Sequence, residues 1–196
     1  MAVRKRQATG YTLIELMAVL AIASTLLVVA IPMFRTQVQN SQMSAAATDL
    51  LSTFMSAKSQ AIGRNYPVKV CISNNAVDDE DLECVENGQW EDGWFTFVDL
   101  DADGALDLDD NEEVLQIHPP LTENITVRSS RTGEGTLENS VTFQPNGRTD
   151  LNATRELFIC NLSRHGVTAR VVIVSILGKA SILKDEDVED DGCSGE

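Results

Sequence analysis

The sequence predicts an α+β protein: one long N-terminal helix, membrane-spanning in its first half, packed on a mostly antiparallel β-sheet domain. Three observations carry this. Residues 11–31 form an apolar run broken by one charge, Glu15, and about 20 helical residues cross a bilayer's hydrocarbon core. From Phe34 to Ile62 apolar residues recur at spacings near three, four and seven, the period of a helix with one buried face. Beyond Pro67 the texture changes to short β-branched runs between polar turns, with no further helix-length pattern.

Taken in order, the chain opens on a leader, residues 1–10, in which Arg4, Lys5 and Arg6 precede a polar spacer ending at Gly10. A basic flank of this kind stays on the cytoplasmic side, so the remainder is expected to be exported. An ordinary secretory signal peptide is the simplest alternative, because Ala21-Ile22-Ala23 could pass for a signal-peptidase site. Cutting there would leave an apolar new terminus and would not explain Glu15. A carboxylate at the edge of a membrane helix costs about 2.5–3.5 kcal/mol or less and usually signals a partner. Transmembrane residues 11–31 thus form the first part of a helix expected over 11–63.

Pro32 lacks an N–H and clashes with the preceding turn, which implies a kink or a locally melted turn. The helix then resumes through Phe34, Val38, Leu50, Leu51, Phe54, Ala57, Ala61 and Ile62. Met43, Phe54 and Met55 are expected as core or filament contacts. Gly63 and Asn65 are stop signals, and Pro67 bars continuation. Strands are expected at 68–73, 93–99, 113–117, 124–129, 140–145, 155–161, 167–177 and 179–184, giving one β-rich domain over 64–184. Residues 185–196 read as an acidic tail tied back by Cys193.

The 196 residues carry 30 acidic and 15 basic side chains, a formal charge of −15. Removing the leader would take away three cations and no acids, leaving −18. Such a surface is poor for nucleic acid, whose binding relies on Lys and Arg at phosphates. It suits a cationic partner such as Ca²⁺. Four cysteines, Cys71, Cys84, Cys160 and Cys193, form an even set, and an oxidising compartment favours disulfides. Three pairings are open to them. Cys71–Cys84 with Cys160–Cys193 is the favoured one, since each bond would close a polar excursion after a strand-like run. Zinc is disfavoured because no C-x-x-C is present and the two histidines are remote.

The sharpest local pattern is Asp99-x-Asp101-x-Asp103-Gly104-Ala105-x-Asp107-x-x-Asp110. Calcium takes six to eight hard oxygens, delivered in an EF-hand by a twelve-residue loop with Gly at position six. Asp99, Asp101, Asp103 and Asp107 fall at positions one, three, five and nine, and the Ala105 carbonyl at seven. Asp110 stands at twelve where an EF-hand has Glu; an Asp there resembles dockerin-type loops. Calcium is therefore the one expected cofactor. The competing account is that these Asp residues build Asx-turns with no metal at all.

The N-terminal segment G-YTLIELMAVLAI resembles the class III signal of type IV pilins and type II secretion pseudopilins. The resemblance implies prepilin-peptidase cleavage after Gly10, N-methylation of Tyr11, and assembly through Glu15, five residues past the cut. Tyr11 departs from the phenylalanine usual at that position. Pro32 also matches the pilin pattern. Further on, Cys71…Cys84…Trp90-x-x-Gly93-Trp94-x-x-Phe97-x-Asp99, then Glu113-Val114-Leu115, resembles the GspH/FimT family of minor pilins and pseudopilins. So does Val141-Thr142-Phe143-Gln144-Pro145-Asn146-Gly147-Arg148 with Cys160 and Cys193 beyond it. In that family a short Asp- and Gly-containing turn often joins the two strands flanking Asp99.

The resemblance implies a type IV pilin-like fold and a structural role: a minor pilin of type IV pilus assembly, or a type II secretion pseudopilin. Its implied partners are other major and minor pilins or pseudopilins, the prepilin peptidase and an inner-membrane assembly platform. Its implied location is the bacterial inner membrane, single-pass, with the C-terminal domain in the periplasm. Some FimT-like proteins bind DNA through a GRxR motif, but the matching Gly178-Lys179-Ala180-Ser181 lacks both arginines. Arg164, Arg170, Lys179 and Lys184 remain as a basic patch among acids. No enzyme is expected: His118 and His165 lack a nucleophile with a recognisable signature, and Ser163 beside His165 makes no triad.

Overall fold

A computed structural model describes residues 12–77, 82–129, 137, 139–161, 169–184 and 193. The chain divides into two compact units, Met1–Val38 and Gln39–Glu196. Helix α1 (Leu13–Arg64) contributes to both.

Within the first unit, α1 is apolar on every side. Leu13, Ile14, Leu16, Leu20, Leu26 and Val28 are all exposed, and an 18-residue window of the helix has a mean hydropathy of 2.5 with none of it buried. A helix apolar all round needs an apolar surrounding. Two of its hydroxyl groups are satisfied within the helix, as a bilayer demands: Ser24 and Thr25 donate to the carbonyls of Ala21 and Ile22 at 2.9 and 2.8 Å. The melted turn expected at Pro32 is absent: the helix runs unbroken through that position. Proline removes only one N–H, and the neighbouring bonds keep the helix in register. Phe34 and Val38, expected on the buried face, are 70 % and 39 % exposed.

In the second unit the helix becomes one-faced. Met43, Ala46, Ala47, Leu50, Phe54, Ala57 and Ala61 are buried at the three-and-four spacing of one helical stripe, whereas Met55 and Ile62 are exposed. The helix ends where Asn65 takes a left-handed conformation (φ 62°) and donates its N–H to the Ala61 carbonyl at 3.0 Å. Asn is the commonest non-glycine residue to close a helix in this way.

Eight strands follow among the described residues: β1 (Val68–Ile72), β2 (Trp94–Val98), β3 (Val114–His118), β4 (Ile125–Ser129), β5 (Ser140–Phe143), β6 (Arg155–Asn161), β7 (Arg170–Val174) and β8 (Ala180–Lys184). Each falls on an expected run. They form two four-stranded sheets, β3-β2-β1-β5 and β4-β6-β7-β8, instead of the single sheet expected. Every pairing is antiparallel. The division arises because β4 pairs with β6 and not with the preceding β3, while β5 returns to β1. The sheets meet where Thr149, bridged to Phe143 of β5, donates its N–H to Ile176 and its hydroxyl to Ser175 in the turn after β7. The Pro145-Asn146-Gly147 turn beside it has φ +77° at Gly147, the left-handed position that favours glycine.

The main core lies between the helix stripe and the inner faces of both sheets. Phe54 meets Trp90 edge-on at 5.8 Å and Phe143 at 6.3 Å. Trp94 is fully buried and donates its indole N–H to Thr53 Oγ1 at 3.1 Å. Each outer face carries a smaller cluster capped by a disulfide. Phe95 and Phe97 pack with Cys71 and Cys84 on one sheet, and Phe158 and Val171 with Cys160 and Cys193 on the other. The disulfides are Cys71–Cys84 and Cys160–Cys193, with Cα–Cα distances of 5.5 and 5.6 Å, the favoured pairing of the sequence.

Candidate functional site

At the N-terminus, Gly10 and Tyr11 lie outside the described residues. Glu15 is exposed in the first turn of α1, and its N–H reaches Thr12 Oγ1 at 3.3 Å. Thr12 thus caps the helix and Glu15 occupies its third position, where a carboxylate favours the positive end of the helix dipole. The Thr-x-x-Glu spacing of a capping box is the signal that locates Thr12; it stands in the sequence beside the pilin-like motif.

The acidic loop joins β2 to β3. It brings Asp99, Asp101 and Asp103 together, with one carboxylate oxygen of each within 4.8 Å of the others. Asp101 and Asp103 are exposed, and each makes an Asx-turn. Asp101 Oδ1 accepts the N–H of Asp103 at 3.1 Å, and Asp103 Oδ1 accepts that of Ala105 at 2.7 Å. Asp99 is only 3 % exposed. Burial, the largest influence, raises its carboxyl above the ordinary value; backbone N–H groups of Gly104 and Ala102 oppose the rise, and the charges of Asp101 and Asp103 add to it. Its Oδ1 has no hydrogen-bond partner among the described residues.

Of the other carboxylates in the twelve-position pattern, Asp107 does not join the cluster and the Asp110 side chain lies outside the described residues. The backbone of Asp110 belongs to a short 3-10 turn, Leu108–Asp110. Ala105 offers its N–H to Asp103. The residue that clasps the loop is instead Glu112, 6 % exposed. Its Oε1 accepts the Leu100 N–H at 2.7 Å and its Oε2 the Asp107 N–H at 2.9 Å. On the other side the Lys69 ammonium of β1 donates to the Gly104 carbonyl at 2.7 Å. Neither residue carries a spacing signal, because Glu112 lies two positions past the motif and Lys69 far before it.

His118, given no catalytic role by the sequence, is a structural element. Its ring stacks on Trp94 at 3.9 Å and 6°. Nδ1 faces the Pro119 carbonyl at 2.8 Å and Nε2 faces Asp49 Oδ2 at 3.3 Å, joining the end of β3 to α1. Ser163, Arg164 and His165 lie outside the described residues. Of the expected basic patch, Arg164 and the Lys184 side chain lie outside the described residues, and the register of β7 and β8 sets Arg170 opposite Lys184. Arg170 is half-buried in β7 and bonds the Ala169 carbonyl, while Lys179 opens β8 through its N–H to Ser175 Oγ.

Residues 5–31 match the prokaryotic N-terminal methylation motif. Residues 46–178, well over half the chain, match the family described as type II transport protein GspH. The fold is similar to that of the type IV minor pilin FimU of Pseudomonas aeruginosa strain PAO1. In one crystal form the TM-score is 0.56 at 18 % identity, covering 78 % of this chain and 96 % of FimU. In a second form the TM-score is 0.53 at 18 % identity, with 76 % and 98 % covered. The minor pseudopilin EpsH of the Vibrio cholerae type 2 secretion system has a TM-score of 0.48 at 10 % identity, covering 73 % and 97 %. No curated protein sequence matches. With its methylation motif preceding a two-sheet pilin-like fold, the chain belongs to the GspH family and is a minor pilin or pseudopilin.

Proposed function

We propose that this chain is a minor pilin that takes part in priming and assembling a type IV pilus. The observation that carries the reading is the surface of residues 13–31: one helix, apolar on all sides, with Glu15 its single charge. In a bilayer that surface is at rest, and in a filament it packs against the same surface of other subunits. Transfer between the two leaves the apolar area covered throughout, so little free energy opposes extraction. The domain Gln39–Glu196 would reside in the periplasm, held at the inner membrane by this helix until assembly.

Cleavage by the prepilin peptidase after Gly10 would create an α-amine on Tyr11, which N-methylation leaves cationic. That charge would stand at the positive end of α1, where a cation is disfavoured. Glu15 of a neighbouring subunit would neutralise it, and the pairing would set the axial register during docking on the assembly platform. A carboxylate in an apolar surrounding is costly only while unpaired, so the contact favours assembly over free diffusion. Glu15→Val is expected to leave cleavage intact and to abolish incorporation into sheared filaments; normal incorporation would overturn the role.

The second reading, a pseudopilin of a type II secretion system, is supported by the family's description as a type II transport protein. The likeness of fold to FimU supports the pilus. A deletion strain separates them: surface pili lost with exoprotein secretion intact favours the pilus. Secretion lost with pili intact favours the pseudopilus.

A further inference from the structure

We propose that Asp99, Asp101 and Asp103, at the C-terminal end of β2, form a calcium site. The cluster of acids alone would not carry this, since Asp101 and Asp103 have their own Asx-turns. Asp99 carries it. Its side chain is almost wholly buried, its Oδ1 has no partner among the described residues, and the carboxylate belongs to the cluster. A buried carboxylate oxygen without a donor is rare in folded proteins and calls for an ion or a water. Here two further carboxylates face the same point, so an ion accounts for all three.

The size of the cluster fits calcium. Ca–O distances of about 2.3–2.6 Å place opposite ligands about 4.6–5.2 Å apart, and the three oxygens lie within 4.8 Å of one another. Magnesium demands a strict octahedron at about 2.0–2.1 Å and keeps most of its waters, so it makes poorer use of three clustered protein carboxylates. The ligand set also differs from the one the sequence motif implies. Asp107 is outside the cluster, and Glu112, near the place of the motif's last ligand, spends both oxygens on backbone N–H groups. The site is therefore an EF-hand-like loop whose far end is held by protein hydrogen bonds to Glu112. Fewer ligands imply affinity in the range of extracellular modules, about 10⁻⁴–10⁻³ M.

The test is isothermal titration of the full chain in nonionic detergent, stripped with chelator, using CaCl₂ and then MgCl₂. One saturable calcium event per chain is expected. It should weaken by about 10–100-fold or more in Asp103→Asn and in Asp99→Asn, since even outer-shell ligand partners are worth that much. Glu123→Gln, an exposed acid just before β4, should not change it. Asp103 is exposed, so its variant keeps the fold, and circular dichroism checks Asp99→Asn. No saturable heat up to about 10 mM, ten times the weakest expected constant, overturns the proposal. So does calcium binding that survives in an Asp101→Asn/Asp103→Asn double variant, or magnesium binding of equal strength.

Discussion

Two adjacent glutamates should differ sharply in what they contribute to stability. Glu112 is buried and holds the N–H groups of Leu100 and Asp107. Glu113 is exposed and pairs with Arg64 across the surface. Glu112→Gln keeps the shape but turns one acceptor into an NH₂ that faces a backbone donor. One bond to a charged acceptor is lost and one N–H left unpaired, about 1.5–3 kcal/mol. For a unit of this size each kcal/mol lowers Tm by about 2–4 °C, so a fall of about 3–12 °C is expected. Glu113→Gln removes an exposed ion pair worth no more than about 1 kcal/mol. Thermal unfolding of the full chain in detergent with chelator present, followed by the near-ultraviolet signal of Trp90 and Trp94, reads both. Equal shifts for the two variants, or a Glu112→Gln shift within about 1 °C of the parent, would refute the account of how the loop is held.

Three other outcomes follow from the packing and charges. Phe54→Ala should cost about 3–5 kcal/mol, because the ring is fully buried between Trp90 and Phe143; urea unfolding should show a lower midpoint at unchanged slope. Replacing the cysteine pairs one at a time by serine should destabilise the fold by about 3 kcal/mol for Cys71–Cys84 and about 4 kcal/mol for Cys160–Cys193. The difference reflects sequence separations of 13 and 33 residues, and a reversed order in urea midpoints would count against it. Glu91 is half-buried, accepts the Val127 N–H at 3.0 Å, and has its carboxyl raised above the ordinary value, chiefly by burial and in lesser part by Asp92, with Arg128 opposing. The folded state therefore holds its proton at a higher pH than the unfolded state does. Its contribution to stability is greatest below the unfolded value and is lost as pH rises through the folded one. Subtracting the urea stability of Glu91→Gln from that of the parent at a series of pH values should reveal this slope, and a difference that grows with pH would overturn it.

Much of this architecture is legible in the residues themselves. Runs such as VKVCI and WFTFV are rich in β-branched and aromatic side chains and bounded by polar turns, so each strand is visible locally. Which strand pairs with which is not, because β1 takes β5 from some seventy residues away and nothing local encodes a distant partner. That is why two sheets stand where one was expected. The helical period gives a face but not how far cover extends along it: the pattern begins at Phe34, the buried stripe only at Met43. The role of His118 depends on the register that sets it opposite Trp94, which nothing local encodes. In the acidic loop the motif spacing does locate Asp99, Asp101 and Asp103, which come together. Glu112 escapes the motif because a carboxylate that binds backbone N–H groups has no fixed spacing.

The positions of the two disulfides bear on when the domain matures. Each lies on the outer face of its own sheet and ties a strand cysteine, Cys71 of β1 or Cys160 of β6, to one outside the strands, Cys84 or Cys193. In a reducing compartment neither bond forms, and the chain would keep its helix stripe and inner faces but leave Phe95, Phe97, Phe158 and Val171 less well covered. Such a chain is looser before it meets an oxidising environment than after. If the domain resides in the periplasm as proposed, oxidation would act as a one-way latch on biogenesis, fixing the domain only after it has crossed the membrane.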